Sequence, residues 1–141
     1  MPDYVREQGV DLAENKAITM QEYIYNMPTL MAAADVVISR AGASSCNEIA
    51  AAGTPCILIP SPNVTDNHQE KNARVLSENG GATLILEKDC TPERLMEEIR
   101  HLITDTQASS QMRKALQKLS VLDSAQRLCD VIAQLGAHKE K

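Results

Sequence analysis

Three short apolar runs along the chain contain no polar alternation, at residues 36–38, 56–59 and 82–86. Such runs are typical of strands that are buried on both faces of a parallel sheet. A weaker apolar stretch at residues 17–20 follows a polar turn and indicates an additional strand near the start of the chain. The pattern therefore predicts a sheet of several short strands.

The segments between these runs carry helix start and stop signals. Pro28 stands in a first-turn position, Gly53 ends an Ala-rich segment, and Thr91 precedes Pro92 as an N-cap. After Thr91 the apolar positions recur with a helical period. We predict that this helix is accompanied by others over residues 27–34, 43–52, 66–79, 107–119 and 121–135.

Strands that alternate with helices through short connections favour an α/β fold, a Rossmann-like parallel sheet flanked by helices. Ligands bind such sheets at the carboxyl ends of the strands. The loops that follow residues 38 and 59 are therefore where we expect the functional site.

Charge and composition exclude several classes of function. A net charge of -5 and a pI near 5.2 disfavour nucleic acid as a partner, because neutralising phosphates needs clustered Lys and Arg. No apolar run approaches the roughly 20 residues that span a bilayer, so we expect a cytoplasmic protein. The four cysteines lie far apart without metal-binding or redox spacing, which predicts reduced thiols and neither a metal nor another cofactor.

The loop at residues 39–45 reads SRAGASS and is rich in small residues. Gly42 would let the backbone approach a ligand, and the free N–H groups of the following helix favour an anion such as phosphate. Glu48, one turn inside that helix, is placed to accept hydrogen bonds from two ribose hydroxyls. Alternatively, Ser45 and Glu48 form a capping box that only satisfies the start of the helix.

Polar residues around this loop also allow more than one interpretation. Arg40 either neutralises phosphate or pairs with an acid, since a guanidinium makes bidentate bonds with both. Gln69 and Asn72 lie on one helical face, and neutral amides suit sugar hydroxyls, although Asp66 with Gln69 also fits a capping pair. His68 has no carboxylate at helical spacing to orient it, so we assign no catalytic residue.

The segments DVVISRAGASSCNEIAAAGTPCILIPSP and NHQEKNA, within residues 27–73, resemble the C-terminal half of the MurG family, N-acetylglucosaminyltransferases with the GT-B fold. The resemblance spans residues 17–135, and the combination of RAGA, a glutamate one turn later and HQxxNA is specific. It implies a partial C-terminal domain of a GT-B glycosyltransferase: a nucleotide-sugar-binding domain over residues 1–136, lacking its first strand and helix, and a disordered charged tail at 137–141.

The resemblance also implies roles for matching positions. Ile24 would contact uracil through its backbone, Glu48 would hold the ribose hydroxyls, and Gln69 and Asn72 would contact N-acetylglucosamine. Arg40 belongs to the same motif. Four neighbouring positions would face the diphosphate: Gly42, Ala43, Ser44 and Ser45.

A parent enzyme of this type would transfer N-acetylglucosamine (GlcNAc) with inversion from UDP-GlcNAc to lipid I, undecaprenyl-pyrophosphoryl-MurNAc-pentapeptide, and so form lipid II for peptidoglycan. It would lie peripherally on the inner face of the cell membrane and bind lipid I through an N-terminal domain that nothing here matches. We therefore expect this chain to be an inactive fragment that binds UDP-GlcNAc or UDP. Surfaces left uncovered in such a fragment would favour self-association.

Two other classes of protein stay open. One is a standalone UDP-sugar-binding subunit that needs a membrane partner to supply the acceptor half. The other is a non-catalytic α/β interaction domain in which every polar pair described above is only a helix cap. Stabilisation by UDP and not by AMP would exclude the interaction domain, because a ligand that binds only the folded state raises its melting temperature.

Overall fold

The computed structural model describes Gly9 and residues 16–121 and 123–137. Its strands are β1 (Val37–Ser39), β2 (Cys56–Leu58) and β3 (Thr83–Leu84). Its helices are α1 (Met27–Ala33), α2 (Ala43–Ala52), α3 (His68–Glu78), α4 (Pro92–Thr104), α5 (Thr106–Leu119) and α6 (Ser124–Ala137). Two 3₁₀ turns, Thr65–Asn67 and Glu87–Asp89, precede α3 and follow β3.

The three strands form one parallel sheet in the order β1-β2-β3. Ile38 of β1 lies beside Ile57 of β2, and Leu58 of β2 lies beside Leu84 of β3. α2 joins β1 to β2, and α3 joins β2 to β3. Both connections are therefore βαβ crossovers. The predicted Rossmann-like parallel sheet is therefore confirmed, and each of the three apolar runs overlaps a strand. β1 is shifted by one residue to 37–39, β2 is one residue shorter than its run, and β3 covers only residues 83–84 of the run at 82–86.

The helix boundaries follow from the start and stop signals in the sequence. Gly53 adopts a left-handed conformation with φ of 65° and closes α2 by donating to the carbonyl of Ile49 at 2.9 Å. Thr91 accepts a hydrogen bond at its Oγ1 from the backbone N–H of Arg94 and so begins α4 as its N-cap. Both predicted signals are confirmed.

The core is built around the central strand. Cys56, Ile57 and Leu58 of β2 are fully buried, and they share one hydrophobic cluster with Ile49 of α2 and Leu116 of α5. A strand with no exposed side chain has helices or loops over both faces, which is the arrangement that its unbroken apolar run predicts.

β1 does not follow the same pattern. The side chain of Ile38 is 46% exposed, so the prediction that this strand is buried on both faces is wrong. Among the described residues β1 pairs only with β2, and it therefore lies at the edge of the sheet. The strand predicted at residues 17–20 is also wrong: Ile18 and Met20 lie in an irregular, exposed segment, without a buried face that would drive strand pairing.

Of the helices that the structure describes, α6 is the least covered. Its apolar side chains at successive helical turns, Leu128, Val131, Ile132 and Leu135, are each at least half exposed. Of the tail predicted at 137–141, Ala137 is the last residue of α6 and the remainder lies outside the described residues. Within the described ranges, none of the helices combines the length and the apolar content needed to cross a membrane.

Candidate functional site

The turn at the carboxyl end of β1 leads directly into the N-terminus of α2. Gly42 is the N-cap, with φ of -64° and ψ of 149°, and the first hydrogen bond of the helix runs from the N–H of Cys46 to the Gly42 carbonyl at 2.9 Å. The N–H groups of Ala43, Ser44 and Ser45 precede this bond, and no side chain caps them. Three N–H groups at the positive end of a helix dipole are able to bind an anion.

The capping box proposed for Ser45 and Glu48 is not formed. Ser45 is the third residue of α2 and not its N-cap, because the N-cap is Gly42, three positions earlier. Neither Ser44 nor Ser45 makes a side-chain hydrogen bond within the described part of the chain. Both hydroxyls therefore remain available as donors beside the uncapped N–H groups.

Glu48 lies one turn further along the same helix. It is four residues after Ser44 and three after Ser45, so the three side chains share one helical face. Glu48 is exposed and makes no ion pair or hydrogen bond with any residue that the structure describes. Its carboxylate is therefore an unused acceptor close to the uncapped start of α2.

Side chains of α3 hold the surrounding loops in place. Asn72 donates from Nδ2 to the carbonyl of Ala41 at 3.1 Å, and Gln69 accepts at Oε1 from the N–H of Ser61 at 2.9 Å. Asn72 thereby supports the turn after β1, and Gln69 supports the loop after β2. These bonds leave the Asn72 Oδ1 and the Gln69 Nε2 free to bind a ligand.

The proposed cap of Asp66 with Gln69 is wrong. Asp66 takes a left-handed conformation with φ of 55°, and its carboxylate binds Lys71 Nζ at 2.7 Å. The N-cap of α3 is Asn67, which uses its Nδ2 to bind Glu70 at 2.7 Å and caps no backbone N–H. Hydrogen bonds from Asn67 and from Arg74 hold the pKa of Glu70 below its usual range, so this carboxyl stays charged.

Arg40 pairs with an acid, which was one of its two predicted interactions. Its Nη1 donates to Glu87 Oε2 at 2.8 Å and to the carbonyl of Ile59 at 3.1 Å. These contacts join the loops after β1, β2 and β3. Glu87 is 47 residues away along the chain, and the sequence offered no signal that would have identified it.

Two further positions considered in the sequence, Ile24 and His68, have these surroundings. Ile24 is half-buried in the irregular segment before α1, between Tyr23 and Tyr25, whose rings meet edge to face at a centroid distance of 4.7 Å. The Nδ1 of His68 bonds the Thr65 carbonyl at 2.8 Å, and since a carbonyl can only accept, this nitrogen donates and the ring holds the turn before α3.

The cysteines do not provide a nucleophile in the core. Burial, together with the neighbouring Cys46, raises the pKa of the Cys56 thiol to about 12, so Cys56 stays protonated at neutral pH. Burial also raises the pKa of Cys46. Over the described residues, His, Cys, Asp and Glu side chains form no group of three or more that could hold a metal ion.

Comparison with known proteins identifies relatives of this chain. Residues 3–128 match the glycosyltransferase family 28 C-terminal domain. The UDP-N-acetylglucosamine--N-acetylmuramyl-(pentapeptide) pyrophosphoryl-undecaprenol N-acetylglucosamine transferase of Bacillus cytotoxicus is 41% identical over 133 residues, which cover 94% of this chain and 35% of the relative. The enzyme of the same name from Thermoanaerobacter sp. is 44% identical over 131 residues, or 93% of this chain and 35% of the relative. The chain thus spans about a third of the length of these relatives.

Solved structures agree with this assignment. The crystal structure of Acinetobacter baumannii MurG superposes with a TM-score of 0.80 and 27% identity over 94% of this chain and 38% of that protein. The glycosyltransferase VinC in complex with DTDP shares the fold alone, with a TM-score of 0.68 and 21% identity over 95% of this chain and 33% of VinC. The predicted fold, part of a GT-B glycosyltransferase, is confirmed, and the chain belongs to glycosyltransferase family 28, whose C-terminal domain it matches.

Proposed function

We propose that this chain is the donor-binding part of an inverting N-acetylglucosaminyltransferase that moves GlcNAc from UDP-GlcNAc to lipid I and forms lipid II. The names of the relatives at 41–44% identity support the reaction. The observation that carries the proposal for this chain is the uncapped start of α2 together with Glu48. An anion site and an unused carboxylate on one helical face suit the adjoining diphosphate and ribose of a nucleotide.

Each part of the donor has a counterpart in the proposed site. The diphosphate lies on Gly42 and on the N–H groups of Ala43, Ser44 and Ser45, and Glu48 accepts from the ribose hydroxyls. Gln69 and Asn72 contact GlcNAc through the amide atoms that their loop contacts leave free. The backbone of Ile24 contacts uracil, and Arg40 lies beside the diphosphate.

In the proposed reaction the 4-hydroxyl of the acceptor sugar attacks the anomeric carbon of GlcNAc, and UDP leaves from the opposite face. Negative charge grows on the leaving diphosphate, and the fixed N–H dipoles of α2 stabilise it without a proton transfer. We propose that lipid I binds to a part of the parent enzyme outside this chain, at the inner face of the cell membrane. The same part supplies the base that activates the acceptor hydroxyl. Because α2 supplies the positive potential, donor binding needs no metal.

The proposal is tested by titrating the chain with UDP and with AMP in calorimetry and thermal-shift assays. UDP should raise the melting temperature and AMP should not, because only the folded state binds the ligand. Glu48→Ala should weaken UDP binding roughly tenfold, the typical effect of losing hydrogen bonds to a charged group. Chelation of divalent metals should leave UDP binding unchanged.

A matched control is Glu97→Ala, which removes another exposed glutamate without described partners from the outer face of α4. This control should bind UDP like the wild type. Equal binding by Glu48→Ala and Glu97→Ala would remove the proposed role of Glu48. A chain that UDP does not stabilise would instead support an interaction domain without a nucleotide.

A further inference from the structure

The contact between Arg40 and Glu87 is placed where a support for the donor site would be needed. Arg40 is the first residue after β1 and lies two positions before Gly42, the N-cap of α2. Glu87 begins the 3₁₀ turn that follows β3, and the Ile59 carbonyl follows β2. One guanidinium therefore ties together the loops at the carboxyl ends of all three described strands.

The way in which Arg40 is held leaves part of it unused. Both contacts come from the same nitrogen, Nη1, at 2.8 Å to Glu87 and 3.1 Å to Ile59. Nε and Nη2 have no partner among the described residues. These two nitrogens form one edge of the planar guanidinium, with parallel N–H groups that match two oxygens of a phosphate.

Such an arrangement favours positioning over stabilisation of the fold. The side chains of Arg40 and Glu87 are 52% and 44% exposed, and ion pairs this exposed contribute little to the free energy of unfolding. A long side chain that is already fixed before binding loses less conformational freedom when the ligand arrives. The contact therefore affects ligand affinity more than stability.

We propose that Glu87 is a positioning residue that holds Arg40 by Nη1, so that the Nε and Nη2 edge is presented to the diphosphate of the donor. The inference rests on the proposed function, since it requires a diphosphate beside Arg40. It does not make Glu87 a ligand of the nucleotide. Instead, Glu87 acts on affinity only through Arg40.

The sign of the effect distinguishes positioning from simple charge. Glu87 is an anion, and if it only competed with phosphate for Arg40, its removal would strengthen UDP binding. Positioning requires the opposite: Glu87→Ala should weaken UDP binding, by roughly threefold to tenfold, as is typical of coupled charged pairs. Glu87→Gln, which keeps an oxygen acceptor but loses the charge, should lie between Glu87→Ala and the wild type.

The experiment measures UDP and uridine binding to the wild type, Glu87→Ala, Glu87→Gln, Arg40→Ala and the double variant Arg40→Ala/Glu87→Ala. Calorimetry serves for UDP and titration by NMR for uridine. We expect Glu87→Ala to weaken binding of UDP and not of uridine, which has no phosphate. In the Arg40→Ala background the same change should have no further effect on UDP, and Glu97→Ala should match the wild type in both titrations.

Three results would overturn the inference: UDP binding by Glu87→Ala that equals or exceeds the wild type, an equal loss for uridine, or an equal loss when Arg40 is already alanine. If Glu87→Ala does not fold, Glu87→Gln carries the same comparisons. The proposed function is judged separately by the wild type and by Glu48→Ala. If the wild type fails to bind UDP, both the proposed function and the positioning role of Glu87 are overturned. If Glu48→Ala weakens UDP binding as expected but Glu87→Ala does not, only the positioning role is overturned.

Discussion

Four of the described helices differ in whether a side chain caps their N-terminus. α4, which follows β3, and α5, which follows α4, are capped by side chains: Thr91 accepts one backbone N–H at 3.2 Å, and Asp105 accepts two, at 3.0 and 2.9 Å. α2 and α3, which follow β1 and β2, begin at Gly42 and Asn67 without any side-chain cap. The two helices that follow the first two strands therefore keep uncapped N–H groups at the carboxyl ends of the strands, where ligands bind. α1, which follows no described strand, also begins without a side-chain cap, at Asn26.

This difference has a physical meaning because every helix start presents unpaired N–H groups. A side-chain cap satisfies them within the chain and stabilises the fold. An uncapped start keeps them for water or for an anion. Ala43 and Ser44 at the start of α2 are exposed, so a ligand can reach their N–H groups, whereas the capped starts offer fewer free donors. The comparison predicts that capping and ligand binding compete at α2 and are unrelated at α4 and α5.

The largest effect is expected from giving α2 the cap that it lacks. Gly42 has φ of -64° and ψ of 149°, a conformation open to any residue, and an added Cβ would meet only the Ser45 Oγ, at 3.8 Å. In Gly42→Asp the carboxylate would occupy the N–H groups and repel the diphosphate. UDP affinity should fall roughly a hundredfold, as expected for like charges a few ångströms apart near a protein surface, while the melting temperature stays the same or rises.

Gly42→Ala is the matched control, because it adds the Cβ without a capping group. It should lose much less UDP affinity than Gly42→Asp in the same calorimetric titration. If Gly42→Asp binds UDP as well as Gly42→Ala does, the start of α2 is not the diphosphate site.

A smaller effect is expected from loosening the turn that leads into α2. Asn72→Ala removes the hydrogen bond to the carbonyl of Ala41, a residue with no exposed surface, and leaves that carbonyl without its partner. The free energy of unfolding should fall by about 1.5 kcal/mol, and UDP affinity should fall with it because the turn loses its support. Chemical denaturation and calorimetry measure the two effects.

The neighbouring Lys71→Ala breaks an exposed ion pair with Asp66 and serves as the control, with little effect on either quantity. An Asn72→Ala variant that loses stability but binds UDP normally would show that the turn keeps its shape without this bond.

Removing the side-chain cap of α5 should lower stability without changing UDP affinity. Asp105→Ala removes both hydrogen bonds at the start of α5 and should lower the free energy of unfolding by about 1 kcal/mol. UDP affinity of the folded chain should not change. Asp105→Asn keeps a side-chain acceptor and should restore most of the stability. A parallel loss of UDP affinity in Asp105→Ala would contradict the separation between the two kinds of helix start.

The sequence predicted the capped start at Thr91 and the parallel sheet better than the uncapped site. Thr91 with Pro92 is a local signal, and an N-cap depends mainly on residues within one turn. The spacing of Ser45 and Glu48 is equally local, yet it suggested a capping box that does not form. The same spacing fits both a capping box and an interior helical turn. Only the position of Gly42 at the end of β1 decides where α2 begins, and that position depends on the whole sheet.

Features that depend on distant neighbours were missed for a related reason. The apolar runs of β1 and β2 look alike, but Ile38 is exposed and Ile57 is buried, because exposure depends on what lies beside the strand. Likewise Arg40 carried two equal interpretations until the fold brought Glu87 to it from 47 residues away. The family resemblance identified the candidate residues of the donor site but not the contacts that hold them.

The smallest expected effect is that of removing the Thr91 cap, and it compares the stability that the caps of α4 and α5 contribute. Thr91 accepts one N–H at 3.2 Å through a neutral hydroxyl, whereas Asp105 accepts two shorter bonds through a carboxylate that also favours the positive end of the helix dipole. Thr91→Ala should therefore lower the free energy of unfolding by about 0.5 kcal/mol, at the low end for lost N-caps, and Thr91→Ser should retain the wild-type value in the same urea titration. UDP affinity should be unchanged in both variants. A loss for Thr91→Ala as large as that for Asp105→Ala would mean that bond number and charge do not set the strength of these caps, and the contrast with the uncapped α2 would then need another physical basis.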